Sequence, residues 1–376
     1  MAIEKINIKN FLELADQYPV IDVRSPAEYN HAQIPGAYSL PLFNDEERKI
    51  VGTTYKQQSR EAAIKSGLDF FGPKMKKIVE EVEQLITNRQ RSIHKKDPLP
   101  ITNCVLVHCW RGGMRSAAIA WLLDMYGFKI FTLAGGYKAF RKWVLKQFDE
   151  EYSLKILGGY TGSGKTLILQ ELKRKGYSVI DLENLANHKG SAFGAIGEKP
   201  QPTQEMFENL LALKLNKAGS KKNEVREANE INLTSYSLPH TSPIWLEDES
   251  QRIGKLIIPN SFWKKMRTGP VYFLDIPFEE RLNYLVATYG NFDKEKLAEA
   301  IERIQKRLGG LETKNAISFL SENNIRECFS ILLKYYDKLY LKGLHNRKNY
   351  ESLLNIILCS SVNTNSNVNK LSLQEV

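Results

Sequence analysis

The stretch that most restricts the fold is Leu154-Lys-Ile-Leu-Gly-Gly-Tyr-Thr-Gly-Ser-Gly-Lys-Thr166. Gly159 to Thr166 fits G-x-x-x-x-G-K-[ST], with an apolar strand before it (Leu154 to Leu157) and a helix after it (Leu167 to Lys175). Such a loop lets glycine backbone approach phosphates closely, with Lys165 as a point charge and Thr166 placed to reach a Mg²⁺. A diphosphate-binding set of Gly159, Gly162, Ser163, Gly164, Lys165 and Thr166 follows. The pattern specifies a phosphorylated ligand but not which one.

A second strand–loop–helix signal lies upstream, in Val105-Leu-Val-His-Cys-Trp-Arg-Gly-Gly-Met-Arg-Ser116. An apolar run ends in Cys109, and a helix-like run, Ala117 to Tyr126, follows the loop. The N–H groups of Arg111, Gly112, Gly113, Met114, Arg115 and Ser116 can cradle an anion at a helix N-terminus, and the arginines add full charges. A thiol there has a depressed pKa and acts as a nucleophile. A buried strand-end cysteine is the bland alternative, but paired Gly and Arg are poor core composition.

At 376 residues the chain has room for two domains. A net charge of +10 favours a polyanionic partner such as RNA. Four cysteines without a paired framework suit free thiols in a reducing compartment. On a strand, Cys104 and Cys109 lie about 16 Å apart on opposite faces, too far for a direct disulfide. The start lacks a signal-peptide pattern and no apolar run is long enough to span a membrane, so a cytoplasmic protein is expected.

Strands alternate with helices over residues 20–148, which implies a parallel sheet covered on both faces. Ser25-Pro26 starts a helix, with Glu28 completing the cap. Asp22 and Arg24 end a strand, where an ion pair that fixes the turn is favoured over direct catalysis. Residues 88–100 are a basic connector. Asp181 and Glu183 end a strand begun at Val179. Residues 187–194 form a Gly-containing basic loop suited to anion contact or to a plain surface role. Residues 218–243 are polar and irregular, a surface insertion. Ile244 to Leu246 is an apolar strand followed by Glu247, Asp248 and Glu249, the best candidates for carboxylates near a metal or water; no metal site is certain. Residues 278–345 are helical and basic, with Tyr289, Tyr335, Tyr336 and Tyr340 interleaved; RNA contact and a solvated face over a tyrosine core are both open. Residues 360–376 are Asn/Ser-rich and expected to be disordered.

Asp22-Val-Arg24, Glu28-Tyr29, Ile34-Pro-Gly-Ala37, the cysteine loop and Leu133-Ala-Gly-Gly136 resemble a rhodanese domain. The cysteine loop is one residue longer than in many sulfurtransferases. It resembles that of rhodanese-like dual-specificity phosphatases, although Trp110 stands where those often carry an acid. Sulfur transfer, selenium transfer and phosphate hydrolysis stay open on loop length alone.

The combination is similar to the tRNA 2-selenouridine synthase family. The similarity rests on Asn44-Asp-Glu-Glu-Arg48, Val51-Gly-Thr-Thr-Tyr-Lys-Gln-Gln58, Arg111 to Ser116, Gly135 to Ala139, Gly162 to Thr166, Asp181-Leu-Glu183, His188 to Gly194, Phe207 to Leu211, Leu246 to Ser250 and Tyr335-Tyr-Asp337. The resemblance implies an α/β chain: a rhodanese-like parallel-sheet domain over residues 1–150, then a P-loop NTPase-like α/β domain with a helical extension over 151–376. It implies conversion of wobble 2-thiouridine to 2-selenouridine with selenophosphate, through an S-geranyl intermediate made from geranyl diphosphate. Cys109 then receives selenium beside the selenophosphate-binding loop, and the P-loop holds geranyl diphosphate. Asp181, Glu183, Glu247, Asp248 and Glu249 orient groups or a Mg²⁺ that accompanies the P-loop ligand, with no tightly bound cofactor. The implied partners are tRNA and selenophosphate synthetase. Two rivals remain: a phosphatase fused to an ATP-dependent kinase-like domain, and a non-enzymatic, nucleotide-gated tRNA-binding protein.

Overall fold

The computed structural model describes residues 3–93, 103–227 and 243–373. It divides into two compact units, Met1–Lys146 and Gln147–Val376, a boundary a few residues before the expected one.

The first unit holds β1 (Glu4–Ile6), β2 (Val20–Asp22), β3 (Tyr38–Ser39), β4 (Cys104–His108) and β5 (Lys129–Leu133). They form one sheet in the order β1–β5–β4–β2–β3, parallel throughout. β4 is buried along its whole length, as a central parallel strand must be. The helix Met75–Ile93 puts Ile78, Val79, Val82 and Ile86 at helical spacing onto a core with Val105, Val107, Ile119 and Leu123. That helix covers the first part of the expected connector, whose remainder to residue 100 lies outside the described residues. β4 sends its crossover, the helix Met114–Tyr126, toward β5, while its neighbour β2 leads to β3. The chain therefore diverges between β4 and β2, and the C-terminal ends of these strands are this sheet's switch point. Cys109 and Arg24 both lie there.

The second unit is built on β6 (Leu154–Gly159), β7 (Ser178–Ile180), β8 (Ile244–Glu247), β9 (Arg252–Ile253), β10 (Leu256–Ile257), β11 (Val271–Asp275) and β12 (Leu354–Leu358). β9 and β10 are a small antiparallel pair; the others form a parallel sheet in the order β12–β11–β6–β8–β7. β6 leads through the helix Lys165–Arg174 toward β7, whereas β11 leads toward β12, so the phosphate loop sits at this sheet's point of divergence. Between β11 and β12 come helices that include Phe278–Tyr289, Lys294–Arg303, Gly310–Ser321 and Ile325–His345. They share a core around Leu297, Ile301, Phe329 and Leu332.

Three expectations are corrected. The tail expected to be disordered contains the helix Thr364–Leu373. Val368 and Leu371, one helical turn apart, are buried with Ile168, Leu169 and Leu172, and Asn363 caps the start by accepting the Ser366 N–H at 2.9 Å. Asn/Ser composition concealed two well-spaced anchors. The irregular insertion is helical as far as Glu227, because Gln204–Glu227 is one continuous helix; residues 228–242 lie outside the described residues. The strand from Val179 stops at Ile180, since Asp181 turns the chain by capping the helix Leu182–Ala186. Glu183 is thus a first-turn helical residue. Among the described residues no helix is long and apolar enough to cross a membrane.

Candidate active sites

Cys109 follows β4 and is 3 % exposed. Its Sγ lies 3.2 Å from Ser116 Oγ and accepts the Gly113 N–H at 3.4 Å. Burial pushes the thiol up, but bonds from Ser116 and from the backbone of Gly113 and Arg111 outweigh it, and the net shift is downward. By contrast burial drives Cys104, at the other end of β4, up to about 11. Cys109 is thus the more acidic of the two thiols.

The loop is fixed from behind. Gly112 and Gly136 both have positive φ, 63° and 58°. A Cβ on Gly136 would stand 2.3 Å from the Cys109 carbonyl oxygen and 2.5 Å from the Gly112 nitrogen. That close approach lets Tyr137 N–H donate to the Cys109 carbonyl at 2.8 Å and Lys138 N–H to that of Trp110 at 3.0 Å. Gly135-Gly136, read from sequence as a turn into a helix, is the backstop of the cysteine loop.

The arginines divide. Arg111 is exposed, as are Gly113 and Met114. Arg115 makes a two-pronged bond to Glu28, at 2.5 and 3.2 Å. Burial raises the Glu28 carboxyl, but Arg115 and the Ser25 N–H hold it below its ordinary value. Arg115 is therefore committed to Glu28, and Arg111 is the side chain turned outward. Sequence reasoning placed Glu28 in a helix cap; its second task has no local signal. Asp22 and Arg24 form the turn-fixing pair: Arg24 Nη2 bonds Asp22 Oδ2 and the Ala32 carbonyl, both at 2.7 Å, and its guanidinium lies 3.8 Å from the Tyr137 ring centre. His108 is fully buried, 3.7 Å from Asp22 and without a hydrogen-bond partner among the described residues; burial keeps it neutral.

In the second unit, Gly159, Gly162 and Gly164 all have positive φ, as the phosphate loop requires. Lys165 Nζ folds back onto the carbonyls of Gly159 at 2.9 Å and Tyr160 at 3.4 Å. The helix Lys165–Arg174 presents its first-turn N–H groups at the loop mouth. Ser163 is buried and donates to the Tyr160 carbonyl at 2.8 Å, so its hydroxyl shapes the loop. Thr166 Oγ1 donates to Glu183 Oε2 at 3.2 Å.

The carboxylates do not act alike. Glu247 ends β8, is 1 % exposed, and accepts the Glu183 N–H at 3.4 Å through one oxygen, while the other has no partner among the described residues. Burial, then the charges of Glu183, Asp181 and Glu249, push Glu247 well above its ordinary value. Glu249 rises similarly, first through burial and then through Glu183, and its carboxylate lies against Gly190. Asp181 and Glu183 are raised too, mainly by burial. Asp248 is the exception to the expected cluster. It points away from the loop mouth, ion-paired with buried Arg347 and accepting the Tyr340 hydroxyl at 2.7 Å. The strand ends at Glu247 and the Glu249 N–H turns back to the Glu247 carbonyl at 3.0 Å, so Asp248 lies at the centre of a tight turn. Among the described residues no group of three or more His, Cys, Asp or Glu forms a ready metal site.

Tyr340 and Arg281, in the basic helical stretch for which the sequence leaves RNA contact and a tyrosine core both open, are internal. Tyr340 accepts the Gly159 N–H at 3.2 Å. Arg281 donates to the Thr161 carbonyl at 3.1 Å and is held by both Asp337 oxygens at 2.9 Å. Arg347 is buried as well, whereas Lys294, Lys296, Arg303, Lys306, Arg307, Lys314, Arg326, Lys334, Lys338 and Lys342 are exposed. No spacing in the sequence ties Tyr340 or Arg281 to a loop more than a hundred residues away.

A parallel-sheet domain bearing a cysteine loop is followed in the chain by a phosphate-loop α/β domain, which defines a two-domain α/β protein. Residues 7–142 match the rhodanese-like domain, and residues 152–355 match the tRNA 2-selenouridine synthase AAA domain. The chain is 33% identical to the tRNA 2-selenouridine synthase of Nitrosomonas eutropha over 88% of its length and 89% of that protein. It is 34% identical to that of Hydrogenovibrio crunogenus, with 90% of each chain covered. The chain belongs to the tRNA 2-selenouridine synthase family and is an enzyme of that type.

Proposed function

We propose that this enzyme converts wobble 2-thiouridine in tRNA to 2-selenouridine using selenophosphate, by way of an S-geranyl intermediate made from geranyl diphosphate. The observation that carries the phosphate-loop half is a small apolar cavity of about 60 Å³ beside the loop, with room for the first carbons of a hydrocarbon chain. Thr161 stands at one end, and Phe193, Leu285, Leu297, Phe329 and Leu333 are among its walls. A hydrocarbon chain gains from such walls, while a purine's polar edges would go unpaired.

The chemistry then divides between the loops. The sulfur of 2-thiouridine attacks C1 of geranyl diphosphate, the C1–O bond breaks, and diphosphate leaves with the electron pair while the ring N3 proton is lost. Lys165 and the first-turn amides stabilise the leaving charge. Thr166 and Glu183 are the groups that would meet a Mg²⁺ carried in with the diphosphate, which neutralises part of that charge. Alkylation turns a poor leaving group into a better one: the selenium of selenophosphate adds at C2, the C2–S bond breaks, geranylthiol leaves with the electron pair and a proton, and water then takes the phosphoryl group from selenium as phosphate. Arg111 and the loop amides hold the phosphate of selenophosphate beside Cys109.

Nucleoside mass spectrometry of tRNA from cells lacking the gene, complemented with variants and grown with selenite, tests this. Lys165→Ala is expected to lose both the S-geranyl and the seleno nucleoside. Cys109→Ser is expected to lose 2-selenouridine and accumulate the S-geranyl form. A Cys109→Ser strain that keeps full selenation but loses geranylation overturns the assignment.

A further inference from the structure

The segment His188–Gly194 lines two different cavities. Ser191 and Phe193 face the apolar one, and His188 and Lys189 face a larger one of about 360 Å³. The larger cavity reaches Thr166 and Glu183, so whatever occupies it sits at the phosphate end of the loop. Its volume falls within the small-molecule range.

Its lining restricts the occupant. Asp181, Glu183 and His188 are inner groups, half-buried or buried, beside the Lys189–Glu198 ion pair at 3.2 Å, while Lys173 and Lys214 are exposed at the rim. The inner carboxylates repel a second diphosphate, and the charges exclude a hydrocarbon tail. The rim lysines attract anions. What fits is a ligand neutral and hydrogen-bonding inside and anionic outside, which describes a nucleobase with its flanking phosphates. A uracil-type ring offers an N–H donor to a carboxylate and ring acceptors to a donor. His188 is 9 % exposed, with Nδ1 packed against Gly194 and without a partner among the described residues. Burial, then Arg303, keeps its ring neutral.

We propose that this cavity seats the acceptor nucleoside, with Asp181 and His188 around the base, Glu183 on the side that faces the diphosphate, and Lys173 and Lys214 on the adjoining phosphates. The proposal rests on the prenyl-transfer reading above for its orientation toward the diphosphate. It makes the His188–Gly194 segment the divider between acceptor and donor seats.

The test uses the full-length protein, a heptaribonucleotide with central 2-thiouridine, the same oligomer with an abasic centre, and geranyl diphosphate. Asn184 lines the cavity and is exposed, so Asn184→Trp fills it without entering the phosphate loop. The thiouridine oligomer is expected to bind wild type about tenfold tighter than the abasic one, as for one seated base. Asn184→Trp is expected to erase that difference while geranyl diphosphate affinity stays put. Lys173→Glu/Lys214→Glu, a surface change, is expected to weaken both oligomers and to flatten their salt dependence by about one to two in slope. Equal binding of both oligomers to wild type, or a base preference that survives Asn184→Trp in a folded protein, overturns the proposal. If wild type fails to bind geranyl diphosphate yet Asn184→Trp still erases the base preference, the prenyl reading falls and the nucleoside seat stands.

Discussion

Behind Cys109 the support is backbone, and behind Gly159 it is side chain. The cysteine loop rests on the Gly135-Gly136 turn, whose following N–H groups donate to the carbonyls of Cys109 and Trp110. The phosphate loop rests on Tyr340 and Arg281, which reach it from helices beyond β11 and bond Gly159 and Thr161. Both loops follow a central parallel strand at a point of divergence. Support by backbone contact leaves no room for a Cβ but needs only short, local sequence. Support by long side chains tolerates small changes, and it couples the phosphate loop to the distant helical part. The first design makes a rigid cradle for one reactive atom; the second makes a loop whose shape depends on how the helices pack.

The sharpest way to break the comparison is Gly136→Ala. Its methyl would stand 2.3 Å from the Cys109 carbonyl oxygen, and φ there is +58°. Displacing the cysteine by about 1 Å is expected to cost on the order of 100-fold in selenation. Cellular 2-selenouridine, read against its S-geranyl precursor, checks this. Precursor levels are expected to hold, since the phosphate loop lies outside the change. Normal selenation in Gly136→Ala would show that the turn is not the backstop.

A milder break is Tyr340→Phe. It removes the acceptor for Gly159 N–H and the donor to Asp248 while keeping the ring packing against Tyr160 and Phe273. Each lost partner leaves a buried polar group, at about 1–3 kcal/mol. Geranyl diphosphate binding is expected to weaken about tenfold, with cysteine reactivity untouched. Iodoacetamide alkylation of Cys109, run beside calorimetric titration of geranyl diphosphate, separates the two. Unchanged diphosphate affinity would mean that the loop keeps its shape without its distant support.

The same contrast explains what the sequence disclosed. Both loops were legible because each is written contiguously: apolar strand, glycines, charged residue, helix. The Asp22–Arg24 pair was legible for the same reason, two residues apart at a strand end. The burial of Tyr340, Arg281 and Arg347 is not legible, because it depends on neighbours that periodicity does not name. Asp248 groups with Glu247 and Glu249 in sequence, but the tight turn after β8 gives it different partners, Arg347 and Tyr340. The tail helix was hidden because composition averages over residues, and two apolar side chains at the right spacing suffice to anchor ten residues to a neighbouring helix.

The gentlest test concerns charge. The cysteine loop gathers positive groups around a thiol that is held low, while the phosphate loop faces carboxyls that are held high. Glu247 is the most buried of these, and one of its oxygens has no partner among the described residues. A carboxyl whose folded pKa lies above its ordinary value of 4.5 contributes fully below that value, and loses that contribution as pH rises toward the folded pKa. Wild type therefore carries a growing penalty from about pH 4.5 upward. Glu247→Gln keeps the shape and removes the titration, so its thermal midpoint relative to wild type is expected to climb with pH. The gain is on the order of 1 kcal/mol near neutrality and vanishes in acid. Melting both proteins from pH 4 to 8 without ligand reads the difference directly. A difference that stays flat with pH would mean that Glu247 titrates as an ordinary carboxyl and that the acidic wall opposite the phosphate loop stores no charge strain. If it climbs, adding geranyl diphosphate with Mg²⁺ should shrink it, because cations brought to Thr166 and Glu183 would relieve the repulsion that the glutamine removes.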